Sequence, residues 1–182
     1  MRYQERAMRG LFIGRFQPFH TGHLKAIEWI LEKEECERLI VLVGSSQKCY
    51  DIDNPFTVGE RIDMIVRVLA KRSYYSRAIV LSVPDIMNNA LWVAHVNSLV
   101  PAYEVVYSNN PLVKKLFEDA GKEVRSTPLF DRKAFDATRI RRSMLRGTRE
   151  WRRLVPAEVA SFIDEVKGVQ RVRAVAGGDK LA

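Results

Sequence analysis

Two histidines three residues apart, His20 and His23, carry the clearest chemical signal in the sequence. They end the stretch Gly14–His23, which follows the apolar run 11–13 and precedes the helical pattern 24–31. This order predicts a buried strand, a loop and then a helix, with His23 in the first helical turn. Because backbone N–H groups and the helix dipole favour anions there, two imidazoles at this point are suited to donate hydrogen bonds to phosphate oxygens. The stretch therefore predicts a phosphate site.

The neighbours of the two histidines favour phosphate over metal. Arg15 adds a permanent positive charge with a planar fork of donors, and Gly22 leaves room for a phosphate to approach the backbone. A metal pair or two surface-loop histidines are the alternatives, but no third ligand stands at a familiar spacing, and no metal ligand is assigned. The remaining histidine, His95, lies in an apolar helical pattern and is expected to be a core or boundary residue rather than a ligand. The sequence contains neither a Gly-Lys-Ser/Thr phosphate loop nor a dinucleotide fingerprint.

The overall composition fits a globular chain that binds anions. The 182 residues include 30 Lys and Arg against 22 Asp and Glu, and the resulting net charge of +8 favours anionic partners. We predict one domain over 1–182, with an N-terminal extension over 1–8, a C-terminal helical part over about 138–175 and a tail over 176–182.

Two further features predict a cytoplasmic chain. No stretch approaches about 18 apolar residues, and the first residues lack the apolar core of a signal peptide, so neither a membrane partner nor export is expected. Cys36 and Cys49 form no metal motif and no disulfide framework, which indicates a reducing compartment.

Apolar runs alternate with helical patterns along the chain. Predicted strands span Gly10–Arg15, Leu39–Val43, Ala78–Val83, Glu104–Tyr107 and Glu123–Arg125. Predicted helices span Thr21–Lys33, 57–69, Asn89–Leu99, Leu112–Ala120 and Thr138–Arg146, with a last helix from Pro156. Thr57 and Glu60 have the spacing of a capping box, and Thr21 and Thr138 are predicted N-caps. The alternation predicts an α/β fold, a Rossmann-like doubly wound parallel sheet of about five strands with helices on both faces and a small C-terminal helical segment.

Polar clusters follow four of the predicted strands. They are Gly14–His23, Ser45–Pro55, Asp85–Trp92 and Ser108–Pro111. Because the carboxyl ends of parallel strands meet at one edge of a sheet, and ligands bind there, we expect these clusters to converge on a single site.

The stretch Gly14–His23, with His20-Thr21-Gly22-His23 at its end, resembles the signature of the HxGH nucleotidylyltransferases. The class I aminoacyl-tRNA synthetases share that motif but are much longer. A second element of the superfamily, Thr-x-Ile-Arg, is similar to Thr138-Arg139-Ile140-Arg141. Its usual Ile-Ser-Ser lead is replaced here by Phe135-Asp136-Ala137, which removes the hydroxyl groups of that lead.

Further segments resemble the archaeal-type nicotinamide-nucleotide adenylyltransferases, over about residues 9–169. They are Gly44–Gln47, Asn54–Thr57, Gly59–Arg61, Asp85–Ile86, Asn89–Val93, Tyr107–Val113 and Pro128–Phe130. The Asn-Ala-Leu-Trp and Asn-Pro-Leu-Val sequences within them make the resemblance specific to this group.

The resemblance implies a role for each of the matching residues. Catalytic roles fall on His20, His23, Arg15 and Arg141, and ATP or phosphate binding falls on Gly14, Phe16, Gln17, Gly22, Ser108, Asn109, Thr138 and Arg142. Binding of nicotinamide mononucleotide (NMN) falls on Asp85, Ile86, Asn89 and Trp92. Stacking of an indole on a cationic pyridinium ring fits such a pocket, although core packing is the alternative for Trp92.

The resemblance also implies the reaction and the partners. The NMN phosphate attacks the α-phosphorus of ATP in line, forming NAD and releasing pyrophosphate. Mg²⁺ is expected with ATP, held mostly by phosphate oxygens and water. A homo-oligomer, by resemblance a hexamer, is expected, with no nucleic-acid partner.

Two alternatives stay open at this point. The same superfamily includes enzymes whose acceptor is phosphopantetheine, FMN or a phosphoalcohol used with CTP. A basic nucleic-acid-binding protein would instead use the seven arginines between Arg139 and Arg153, although no known binding module is visible.

Overall fold

The computed structural model describes residues 8–130 and 135–178, and this part of the chain forms one parallel β-sheet with helices on both faces. Its strands are β1 (Arg9–Gly14), β2 (Arg38–Val43), β3 (Ala78–Ser82), β4 (Val105–Tyr107) and β5 (Glu123–Arg125). Its α-helices are α1 (Thr21–Lys33), α2 (Val58–Ala70), α3 (Trp92–Leu99), α4 (Pro111–Asp119), α5 (Ala137–Arg146), α6 (Ala157–Glu165) and α7 (Gly168–Gly178).

The sheet order is β3-β2-β1-β4-β5, and every neighbouring pair is parallel. The chain moves outward from β1 in one direction and then crosses to the other side, so the switch point lies between β1 and β4. This is the crevice where open α/β sheets bind ligands. The predicted doubly wound parallel sheet is confirmed.

Alternate residues of the central strands face two different hydrophobic clusters. Phe12 and Val41 pack with α1, α2 and the C-terminal helices, whereas Leu11 and Ile40 pack with α3 and α4. A central strand that is buried on both faces requires an apolar residue at every position, which explains the unbroken apolar runs in the sequence.

The helix starts confirm one predicted N-cap and correct two others. The predicted capping box of α2 is confirmed, because Thr57 N–H donates to Glu60 Oε2 (2.9 Å) and Glu60 N–H donates to Thr57 Oγ1 (3.3 Å). The predicted caps Thr21 and Thr138 were wrong. The N-cap of α1 is His20 and that of α5 is Asp136, one and two residues earlier, and each accepts a hydrogen bond from its own first turn.

Two other predicted boundaries changed. The helix expected over Asn89–Leu99 is a 3₁₀ turn (Asn89–Leu91) that leads into α3. The C-terminal segment continues as α7 through residues 176–178, which we had predicted to be tail, and Val172 anchors it in the core. The predicted extension over 1–8 falls outside the described residues except for Met8, as do residues 179–182 of the tail.

No helix in the described ranges is long and apolar enough to span a membrane.

Candidate active site

Two adjoining cavities lie at the carboxyl edge of the sheet, where the four polar clusters meet. The larger has a volume of about 620 Å³ and the smaller about 350 Å³, and His20, His23 and Arg15 line both. The larger cavity is also lined by these predicted site residues: Gly14, Gly22, Asp85, Ile86, Asn89, Trp92, Ser108 and Asn109. Phe16, Gln17 and Arg141 line the smaller cavity. Thr138 and Arg142 line neither.

The paired histidines form a reciprocal cap at the start of α1. The backbone N–H of His23 donates to Nδ1 of His20 (3.3 Å), and the backbone N–H of His20 donates to Nδ1 of His23 (3.2 Å). The two rings stack with their centroids 3.5 Å apart and their planes 19° apart. Because both Nδ1 atoms are acceptors, the neutral rings carry their protons on Nε2. The spacing of three residues therefore sets the tautomer that donates through Nε2–H.

Burial keeps both imidazoles neutral at physiological pH. Burial lowers the pKa of His20 from 6.5 to about 4, against opposing contributions from Asp136 and from the backbone hydrogen bond of His20. Burial also lowers the pKa of His23, and the proximity of His20 lowers it further. The two rings are thus neutral and can act as hydrogen-bond donors through Nε2–H.

We expect the free energy of unfolding to decrease as the pH is lowered from about 6.5 to about 4. In that range the unfolded chain binds a proton at His20 and the folded chain does not, so the stability present above pH 6.5 is lost, by up to about 3 kcal/mol for this group. Urea unfolding of the wild type and of His20→Asn at several pH values measures the difference. Parallel pH profiles for the two chains would contradict the assignment, and His95→Gln is the matched control.

Gly14 and Gly22 serve side-chain packing. A Cβ atom on Gly14 would lie 2.7 Å from the Phe16 ring, and one on Gly22 would lie 2.9 Å from Cβ of Phe135 and 3.2 Å from the His20 ring. These two side chains thus fill the position that a Cβ of Gly22 would take, while Gly22 itself lines the larger cavity.

Gln17, expected at the ATP phosphates, has a different side-chain role. Its side chain is buried and pairs with the backbone of Phe56, donating from Nε2 (2.8 Å) and accepting at Oε1 (3.0 Å). The side chain of Phe16 is also buried, against His23. The Gln17–Phe56 pair fixes the loop between β1 and α1 relative to the start of α2.

Arg141 is buried and ties three segments together. Its Nη1 donates to the carbonyl of Gln17 (3.0 Å), its Nε donates to the carbonyl of Ile52 (3.1 Å), and its Nη2 pairs with Asp53 (2.7 Å). Arg141, which the resemblance assigns a catalytic role, therefore also connects the loop between β1 and α1, the 45–55 loop and α5.

The first turn of α5 is capped by the residue that precedes the helix, Asp136. Oδ1 of Asp136 accepts from Thr138 N–H (2.9 Å), so this amide, expected at the phosphates, is already satisfied. Replacement of the usual Ile-Ser-Ser lead thus places a carboxylate where a hydroxyl was expected. Arg142 is exposed on the next turn.

The lining of the larger cavity also includes a carboxylate, an amide and an indole, from Asp85, Asn89 and Trp92. Gln47 holds Asp85, accepting from its backbone N–H (3.0 Å) and donating to Oδ2 (3.4 Å), and Lys48 lies 3.7 Å from the same oxygen. Trp92 lies edge-on to Phe117, with their centroids 5.7 Å apart. The indole therefore both packs on the core and lines the cavity.

A third wall of the cavity follows β4. Asn109 donates from Nδ2 to the carbonyl (3.0 Å) and to Oγ1 (2.8 Å) of Thr127, which fixes its amide, and the Ser108 hydroxyl accepts from Asn110 N–H. The site assignment missed other lining residues: Ser45, Thr127, Leu129, Phe130 and Phe135. Of these, Ser45, Leu129 and Phe130 lie in segments that resemble the family, and that resemblance was a usable signal.

Comparison with known proteins places the chain in a class of nucleotide-transferring enzymes. A family model described as cytidylyltransferase-like matches residues 11–143, and the chain belongs to that family. Within it, the chain belongs with the archaeal nicotinamide-nucleotide adenylyltransferases. The relative of that name from Caldivirga maquilingensis is 48% identical over 173 residues, covering 94% of this chain and 96% of the relative. The relative from Methanothrix thermoacetophila is 47% identical, covering 94% and 98%.

A solved structure has the same fold. The bifunctional NMN adenylyltransferase/ADP-ribose pyrophosphatase from Francisella tularensis superposes with a TM-score of 0.71 at 20% identity, over 93% of this chain. This chain spans about half of that longer protein, 53% of its length. A second structure of the same protein, with a TM-score of 0.66, contains AMP and a Mn ion.

Proposed function

We propose that this chain transfers the adenylyl group of ATP to NMN, forming NAD and pyrophosphate. One observation carries the proposal: a single cavity of about 620 Å³ joins the paired histidines and Arg15 to the Asp85–Trp92 wall. One end thus supplies donors for phosphates and the other an aromatic and amide surface. A site for one nucleotide alone would not need both ends.

The phosphates of ATP would lie against the two rings and Arg15. Each neutral imidazole donates through Nε2–H, and the Arg15 guanidinium adds a fixed charge, so negative charge that develops on the α-phosphate is stabilised without a proton transfer. Magnesium enters bound to ATP as part of the substrate. In the described part of the chain no group of three His, Cys, Asp or Glu side chains could hold a metal ion.

The smaller cavity beside the histidines is suited to the leaving pyrophosphate. It adjoins Arg141 and the start of α5, where a positive charge and a helix N-terminus favour an anion. The Asp53 and Asp136 carboxylates compete with that anion, because each already occupies a donor there. Thr138 and Arg142 join this site only if the α5 start rearranges.

The mononucleotide would be held by the opposite wall. The Asp85 carboxylate, fixed by Gln47, accepts from the carboxamide N–H₂, and Asn89 offers a second polar partner. The cationic pyridinium ring would stack on Trp92. Ser108 and the fixed Asn109 amide would bind the adenosine half on the β4 side.

The chemistry is then one displacement between bound substrates. An oxygen of the NMN phosphate forms a bond to the α-phosphorus of ATP, and the bond from that phosphorus to the bridging oxygen breaks. The electron pair leaves with pyrophosphate, which Mg²⁺ and Arg141 stabilise. Positioning and charge stabilisation supply the catalysis, since the nucleophile is already an anion.

Incubation of the purified chain with MgATP and NMN tests the proposal. We expect equal amounts of NAD, detected by an alcohol dehydrogenase assay, and of pyrophosphate. Phosphopantetheine, FMN and a phosphoalcohol with CTP, offered in parallel, test the alternative acceptors. Absence of NAD, or faster turnover of another acceptor, would overturn the assignment.

We expect Trp92→Ala to raise KM for NMN about tenfold and to leave KM for ATP unchanged, because loss of a cation–π contact of about 1 kcal/mol or more affects only one substrate. Trp92→Phe keeps an aromatic face and is the matched control. Steady-state kinetics with each substrate varied in turn measure both constants. Equal changes in the two KM values would show that Trp92 only packs against Phe117.

The remaining expectations extend this proposal. We propose a single nucleotidylyltransferase domain, assembled as a homo-oligomer such as a hexamer, in the cytoplasm. The thiols of Cys36 and Cys49 are free, which is compatible with a reducing compartment. The reaction needs no nucleic-acid partner.

A further inference from the structure

Arg61, on the first turns of α2, has a fully buried side chain, the largest of those in the described core. Its guanidinium donates to six backbone carbonyls: from Nη1 to Arg15 (3.0 Å) and Gly44 (2.9 Å), from Nη2 to Ser45 (3.2 Å), Ser46 (3.3 Å) and Lys48 (3.4 Å), and from Nε to Thr57 (3.3 Å). None of the ion pairs among the described residues includes it. It is a buried cation held by carbonyl oxygens.

A guanidinium is suited to this place because of its geometry. Burial lowers the pKa of Arg61, and such burial is tolerated only where every N–H finds an acceptor. Five N–H donors in a rigid planar fork can satisfy carbonyls that arrive from several directions, which the three donors of a lysine ammonium cannot. Five of these carbonyls, those of Arg15 and of residues 44–46 and 48, follow the ends of β1 and β2, and the sixth belongs to Thr57 at the N-cap of α2. Backbone amides reach only two of the six, Ser45 (from Lys48 N–H) and Thr57 (from Arg61 N–H), among the hydrogen bonds of the described residues.

Two of the clamped carbonyls precede strained residues. Phe16 has φ 52° and Ser45 has φ 49°, both in the left-handed region that non-glycine residues avoid. Nη1 holds the carbonyl immediately before each of them, at Arg15 and Gly44. Strained backbone of this kind persists only when its surroundings impose it. One nitrogen of Arg61 thus touches both left-handed turns at the ends of two adjacent strands.

These turns set the direction of the backbone segments that line the cavities. Arg15 lines both cavities, and Gly44 and Ser45 line the larger one. We infer that Arg61 is a positioning residue: it fixes the left-handed turns after β1 and β2 and so sets the place of Arg15 and of the 44–48 loop for the nucleotide phosphates. The activity part of this inference rests on the proposed function.

Arg77 offers a matched control within the same fold. It also bridges backbone carbonyls, those of Leu31 (2.7 Å), Cys36 (2.7 Å) and Glu37 (3.1 Å). Because Arg38 begins β2, these carbonyls lie at the amino edge of the sheet, away from both cavities. Arg77→Lys therefore removes the same kind of clamp without touching the site.

We expect Arg61→Lys to lower kcat for NAD formation about 100-fold, the loss typical of a misplaced catalytic group, while Arg77→Lys lowers Tm with kcat within about threefold of wild type. Ser45→Gly, which adopts the left-handed conformation without strain, should restore part of the lost kcat in the Arg61→Lys chain. Unchanged kcat in folded Arg61→Lys, or an equal loss in Arg77→Lys, would overturn the inference.

A second measurement needs no turnover. Amide hydrogen exchange should become faster in peptides 14–17 and 44–48 of Arg61→Lys and stay unchanged there in Arg77→Lys. This readout tests the positioning role even where the wild type makes no NAD, so the two proposals fail separately. If Arg61→Lys does not fold, Ser45→Val, which opposes the left-handed turn with Arg61 in place, should lower kcat at least tenfold more than Ser45→Ala. Equal kcat values for these two variants would overturn the inference.

Discussion

Replacement of His20 by Asn should lower kcat about 10²–10³-fold and leave the stability of the chain at pH 7 nearly unchanged. Asn is among the best N-cap residues, so its side-chain oxygen can accept from the His23 N–H as Nδ1 of His20 does. It has no group that reaches as far as Nε2–H, and one preorganised donor to a developing oxyanion is worth that loss in rate. The substitution therefore separates capping from catalysis.

Three companion variants complete this test. His20→Ala should lose the same activity and about 1 kcal/mol of stability as well, because the cap is lost with the donor. His23→Asn should lose kcat to a similar extent, since its ring is the second donor. His95→Gln, outside both cavities, should keep kcat. Turnover is measured by NAD formation and stability by urea unfolding. If His20→Asn retained more than a tenth of wild-type kcat, the ring would be structural only.

The sheet could be predicted from sequence because its signals are local. An unbroken apolar run such as Leu39–Val43 indicates a strand buried on both faces, and a Thr-x-x-Glu spacing before an amphipathic pattern indicates a helix start. The convergence of four loops then followed from the geometry of parallel strands. The cap of α1 was misassigned because histidine is not a usual cap residue, and that of α5 because Asp136 and Thr138, two residues apart, are both usual cap types.

Several side-chain roles could not be predicted, because they depend on contacts between distant segments. Arg61 meets carbonyls 13 to 46 residues away, in addition to the local carbonyl of Thr57. Gln17 pairs with a backbone 39 residues later. In sequence, the family resemblance assigns Gln17 to ATP or phosphate binding, and it includes Arg61 in the matching segment Gly59–Arg61 without giving it a role. Only the folded chain shows that the buried guanidinium and the buried amide satisfy backbone groups.

Replacement of Arg141 by Ala should lower kcat about 100-fold and also destabilise the chain. The buried carbonyl of Gln17 would be left unsatisfied, at about 1–3 kcal/mol, and the partly buried carbonyl of Ile52 would lose its donor as well. The smaller cavity would lose its buried positive charge, which the leaving pyrophosphate needs. Arg141→Lys keeps the charge without the fork, so it should recover part of kcat and less of the stability.

Replacement of Asp53, the exposed partner of Arg141, should instead improve the binding of ATP. Asp53→Asn keeps the size of the side chain and removes its charge, so Nη2 of Arg141 becomes available to a phosphate and the competing carboxylate charge is lost. We expect KM for ATP to fall about two- to fivefold. The stability loss should stay under about 1 kcal/mol, because the Asp53 side chain is 66% exposed and the pair is partly screened. Kinetics at two salt concentrations test this, since higher salt should reduce the gain. A rise in KM for ATP would instead mean that Asp53 orients Arg141 for the phosphates. In that case the effects of Asp53→Asn and Arg141→Lys on KM would not add in the double variant.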